Sequence, residues 1–144
     1  MVKKIILLCV TICFFSCSDD NGNNDVLPSV NINETINLDL PQYIELQVPG
    51  SWAYAPGGIK GIKGLIIYNI NGTQYKAYER SCPHLSPSSC SQMVIENSIK
   101  MVCPCDNSKF NILNGSPLTD RINNAAREYL VTPINGNTLR ITNF

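Results

Sequence analysis

The chain has 144 residues, 11 basic and 11 acidic side chains, one histidine, seven cysteines and 44% hydrophobic residues. That length holds one domain of ordinary size and leaves no room for a second substantial core. The balanced charge excludes a nucleic-acid binder that works by bulk electrostatics, and the lone His84 excludes any centre that needs two histidines. Seven cysteines in so short a chain point to an oxidising compartment or a metal centre.

Lys3 and Lys4 form a basic start, and Ile5 to Phe15 is an apolar run of 11 residues. Crossing a bilayer takes about 20 apolar residues, so the run fits the core of a secretory signal peptide and not a span. It ends in Phe14-Phe15-Ser16-Cys17, which resembles the lipobox of bacterial lipoproteins, although those usually have Leu where Phe14 stands. The resemblance implies a signal peptide over residues 1–16 and a lipidated Cys17 that anchors the protein in the membrane. Cleavage there removes Cys9, Cys13 and two of the 11 basic residues. The mature net charge is then −2, and Cys82, Cys90, Cys103 and Cys105 are the cysteines of the body.

Ser18 to Asp25 has no residue that could enter a core, so residues 17–29 read as a lipidated cysteine followed by a flexible tether. The domain is expected over residues 30–144. Ser18-Asp19-Asp20 is similar to the acidic signal by which some Gram-negative bacteria send lipoproteins to the cell surface. The expected place is therefore the cell envelope, as an outer-membrane lipoprotein that is periplasmic or surface-exposed.

From Val30 to Leu40 apolar and polar residues alternate, with a break at Asn33-Glu34, and Leu46 and Val48 continue the pattern to the turn at Pro49-Gly50. A period of two marks half-buried strands. Leu65 to Ile70 and Gln74 to Tyr78 flank Asn71-Gly72, and Tyr129 to Ile134 and Thr138 to Ile141 flank Asn135-Gly136. Asn-Gly between two such runs predicts a hairpin, because both residues tolerate positive φ. Ile122 to Leu130 is too short for more than one helical turn or a loop. The fold class expected is all-β, a small antiparallel sandwich or barrel. Glu79 with Arg80, and Asp120 with Arg121, read as surface pairs. The alternating Trp52, Tyr54, Tyr68, Tyr75 and Tyr78 read as packing residues.

The chemistry lies between the two hairpins. In Cys82-Pro83-His84 a soft thiolate and an imidazole two residues apart can reach one inorganic centre from a tight loop. Cys103-Pro104-Cys105-Asp106 is a second such loop. The layout resembles the Rieske domain, whose loops read Cys-x-His and Cys-x-x-His and hold a [2Fe–2S] cluster between them. Asn107-Ser108-Lys109-Phe110 keeps the Ser and Phe of the segment that follows the family's second loop, and the similarity covers roughly residues 43–144.

The resemblance implies Cys82 and Cys103 on an inner iron, and His84 and Asp106 on an outer one. It also implies a disulfide between Cys90 and Cys105 that clamps the loops. Asp106 stands where the family has its second histidine. Carboxylate Oδ lies as far from Cβ as the imidazole Nδ1 that binds iron in the family, so reach allows it, but it adds a negative charge.

Three readings follow. One is a lipid-anchored electron-transfer module with a [2Fe–2S] cluster, served by a redox protein partner that docks near His84. Another is a cluster-free domain in which Cys82 and Cys103 form a second disulfide and the role is structural or partner-binding. The third is a mononuclear zinc site of Cys, His and Asp. All three describe an electron-transfer or binding module in place of a catalyst acting alone, and no nucleic acid is expected as a partner.

Overall fold

The structure, a computed structural model, describes residues 26–56 and 60–144. The expected signal peptide, Cys17 and most of the tether lie outside the described residues. Within them, the alternation of apolar residues becomes strands. β1 (Asn33–Asn37) buries Ile36 between Ile32 and Leu38, which are buried as well. The strand is not broken at Asn33-Glu34: these residues pair with Thr142 and Ile141 of β9 (Thr138–Thr142).

The expected strand through Leu46 and Val48 is instead a 3-10 helix, Pro41–Gln47. Pro41 suits its first turn, where an N–H would lack a partner in any case. Tyr43 and Leu46, three residues apart, stack on one face at three residues per turn, and both are buried. Val48 is left exposed.

β2 (Trp52–Pro56), β3 (Gly64–Asn69) and β4 (Tyr75–Glu79) follow. They join β8 (Glu128–Asn135), β9 and β1 in a six-stranded sheet of order β1-β9-β8-β4-β3-β2. A smaller sheet is made of β5 (Val94–Glu96), β6 (Lys100–Val102) and β7 (Lys109–Asn111) in that order. Every recorded strand pair is antiparallel. The fold is thus all-β, as the periodicity predicts.

Both Asn-Gly signals mark hairpins. In the first, the loop is longer than two residues, and the Asn71 carboxamide accepts the N–H groups of Thr73 and Gln74 at 3.1 and 2.8 Å. In the second, Asn135 still pairs with Thr138, so Gly136 and Asn137 form the turn. Residues 122–127 form no helix, and the chain enters β8 at Glu128.

β3 organises the core. All six of its residues are buried, as expected of a strand covered on both faces. Leu65 and Ile67 join one cluster with Ile36, Leu46 and Tyr129, while Ile66 and Tyr68 join another with Met93, Met101 and Phe110. Cys82 and Cys103 belong to the second cluster, the one shared by the two sheets. The packed body also reaches back into the stretch read as tether. Leu27 is buried, and the Arg127 guanidinium donates to the carbonyls of Leu27 and Pro28 at 2.8 and 2.6 Å.

Glu79 is not half of a surface pair. It is fully buried at the end of β4, and its carboxylate accepts the N–H groups of Ile62, Lys63 and Ser81 and the Tyr129 hydroxyl at 2.8 to 3.1 Å. Burial and the Glu79 charge together push the Tyr129 phenol well above its ordinary pKa. Arg80 turns away from Glu79 and lies over the Tyr54 ring, 3.6 Å from its centroid. Asp120 and Arg121 are exposed, in keeping with a surface position.

Candidate functional site

The first cysteine loop leaves the large sheet at the end of β4 and enters the small sheet at β5. Its ends are tied together: Cys82 N–H donates to Ser91 O at 2.8 Å and Met93 N–H to Arg80 O at 2.6 Å. Inside it, the Ser91 hydroxyl accepts from Ser88 N–H at 2.7 Å and donates back to Ser88 O at 3.1 Å, so Ser88 to Ser91 is a folded turn.

The second loop joins β6 to β7. Cys103 N–H donates to Ser108 O and Asn107 N–H to Cys103 O, both at 2.8 Å. That turn places Asn107 in the left-handed region, φ +61°. Asn is among the few residues other than Gly that take this conformation readily.

The two loops meet, and all four body cysteines are bonded. Cys82 is joined to Cys103 with Cα atoms 5.6 Å apart, and both residues are fully buried. Cys90 is joined to Cys105 with Cα atoms 5.0 Å apart, and Cys90 is exposed. The Ser88 hydroxyl lies 3.4 Å from the Cys90 sulfur and 3.7 Å from that of Cys105.

Above the buried disulfide, His84 Nε2 meets Asp106 Oδ2 at 2.7 Å. Ser108 completes the group. Its hydroxyl donates to Asp106 Oδ1 at 2.7 Å and lies 3.2 Å from His84 Nε2, and its N–H donates to the same carboxylate oxygen at 3.0 Å. Burial by itself would raise the Asp106 pKa. The hydrogen bonds from Ser108 and His84 outweigh it and hold the carboxyl at about 2. Asp106 is therefore a carboxylate at neutral pH, and the proton of the short contact is assigned to His84 Nε2 on that ground. The opposite nitrogen, His84 Nδ1, is buried and has no hydrogen-bond partner among the described residues.

The residues expected to hold a metal are thus side by side. Donor atoms of His84, Cys103 and Asp106 lie within 4.8 Å of one another. Their chemistry in this form does not fit a [2Fe–2S] cluster. Such a cluster needs two thiolates, and the sulfurs of Cys82 and Cys103 are bonded to each other. The same bond removes the thiolate from a Cys-His-Asp zinc set. The outer-iron positions, His84 and Asp106, are bonded to one another as well. Ser108 is the member whose part sequence reading missed, although its place in the Ser-x-Phe segment singled it out as retained.

No family model matches the chain, nor does any curated protein. Solved structures do. The chain is similar to the ferredoxin of carbazole 1,9a-dioxygenase from Nocardioides aromaticivorans IC177, with 16% identity over 81% of this chain and 100% of that one and a TM-score of 0.50. It is also similar to the plasma membrane Rieske protein PetC3 of Synechocystis PCC 6803, with 19% identity over 79% of this chain and 99% of that one and a TM-score of 0.52. At such identities the likeness concerns the fold. The described body has a Rieske-like fold, with the two cysteine loops at one tip.

Proposed function

We propose that this protein is a lipid-anchored module of the bacterial cell envelope whose Rieske-like tip is locked by disulfides, and that it presents this two-loop tip to a partner in place of moving electrons through a cluster. The observation that carries the reading is the bond between Cys82 and Cys103, the two positions at which a cluster would need thiolates. Asp106 supports it. A carboxylate held as an anion by Ser108 and His84 is already bonded across the loops to the other outer-iron position, and on an outer iron it would add charge where the family has a neutral imidazole. The leader supports it too. Lys3-Lys4 without a twin-arginine pair fits export of an unfolded chain, which would leave cluster assembly to the outside.

The partner would meet the exposed Ser86 to Cys90 turn, Pro104 and Asp106, while the tether and a lipid on Cys17 would hold the domain at the outer membrane. The cluster-bound, electron-transferring alternative is favoured by one observation, the buried and unpartnered Nδ1 of His84.

One experiment separates them. The exported domain, purified without reductant, is assayed for iron, visible absorbance and free thiols. The disulfide-locked reading expects a colourless, iron-free protein in which none of the four body cysteines reacts. Two irons per chain with a visible spectrum would overturn it in favour of electron transfer.

A further inference from the structure

A second convergence of side chains lies away from the cysteine loops. A cavity of about 560 Å³ opens between the 3-10 helix, the start of β2 and the turn joining β5 to β6, at the end of that hairpin opposite the disulfides. Its size is within the range of small-molecule sites.

Its wall is a rigid aromatic pair. Trp52 and Tyr54 are alternate residues of β2, with ring centroids 4.8 Å apart and planes inclined at 54°. Tyr54 is fixed from two sides: its hydroxyl accepts the Ile95 N–H at 2.8 Å, and Arg80 lies over its ring. Trp52 is only half-buried, and its indole N–H has no hydrogen-bond partner among the described residues.

Polar groups stand around this wall. Gln42 and Glu45, three residues apart on the 3-10 helix, lie on one face of it at three residues per turn. Neither side chain is engaged in a hydrogen bond with the described residues. Ser98 closes the rim from the Asn97-Ser98 turn, both residues of which have positive φ.

The donor set selects a ligand class. Among the described residues no lysine or arginine lines the cavity, and the Glu45 carboxylate is on its rim, so phosphates and carboxylates are disfavoured. A half-buried indole lining the cavity beside an amide, a carboxylate and a hydroxyl suits a molecule with an apolar face and a rim of hydroxyl groups. We infer that this cleft binds a neutral saccharide, one ring stacked on Trp52 and its hydroxyls bonded to Gln42 and Glu45.

Trp52 is the only tryptophan in the chain, so intrinsic fluorescence reads the site directly. The disulfide-intact protein is titrated with maltotriose and, separately, with chitotriose, up to tens of millimolar. The expected result is a saturable change in emission with one of the two. Gln42→Ala and Glu45→Ala, both at exposed positions, should each weaken the fitted affinity by about ten-fold with the thermal midpoint unchanged. The absence of a saturable change with either sugar would overturn the proposal, and so would an affinity that neither variant changes from that of the natural chain.

Discussion

Asp106 links the two loops through the His84 ring and is held within its own loop by the Ser108 hydroxyl and N–H, bonds that its ionised form accepts. Its pKa, held at about 2, makes its charge a contribution to folding with a defined pH window. A carboxyl whose folded-state pKa is depressed stabilises the native state fully above the unfolded value, about 4, and loses that contribution as pH falls through the folded one. The side chain is 39% exposed, so solvent screens the effect and it is small. The urea midpoint of Asp106→Asn should therefore lie below that of the natural chain at neutral pH. The two should converge as the pH falls from about 4 to about 2. A gap of equal size at both ends would assign the loss to shape and not to charge.

At the level of elements, the connection between β2 and β3 depends on a residue from another strand. Glu79 takes the Ile62 and Lys63 N–H groups of that connection, the Ser81 N–H that opens the first cysteine loop, and the Tyr129 hydroxyl of β8. Gly61, at φ +79°, lets the connection approach, because a Cβ there would sit 2.5 Å from the carboxylate. Glu79→Ala leaves several buried donors unpaired at about 1 to 3 kcal/mol each. A fall in thermal midpoint of roughly 10 °C or more is expected, and a loss below a few degrees would mean that water replaces the carboxylate freely.

None of this is legible around Glu79. Its partners are Ile62, Lys63, Ser81 and Tyr129, and Glu79-Arg80 in isolation has the pattern of an exposed pair. The hairpins were legible, because Asn-Gly turn chemistry is local. The 3-10 helix was not, because Leu46 and Val48 match strand alternation until the burial of Tyr43 and Leu46 sets a period of three. The cysteine tip was legible as an arrangement, since the loops carry their ligand-type residues at fixed spacing. The spacing does not decide whether the sulfurs bind each other or iron, because one thiol pair supports either bond. The Trp52 cavity needed three elements to be placed before it existed.

At the scale of the molecule, the described residues pair a six-stranded sheet with three strands of three residues each, too little to stand alone. The disulfides join these parts differently. Cys82–Cys103 connects the end of β4 to the end of β6, stapling one sheet to the other inside their shared core. Cys90–Cys105 closes a span of 15 residues around the β5–β6 hairpin, at the surface. A closed loop of about that length contributes roughly 3 kcal/mol through the unfolded chain.

Access should then set the order of reduction. A thiol reductant reaches Cys90–Cys105 in the native state, whereas Cys82–Cys103, at 0% exposure, opens only when the two sheets part. Under native conditions with dithiothreitol and an alkylating agent, mass mapping should find Cys90 and Cys105 modified first. Cys82 and Cys103 should follow together, with the loss of cooperative structure. Labelling of all four at one rate would show that the surface bond, and not the buried one, holds the sheets together.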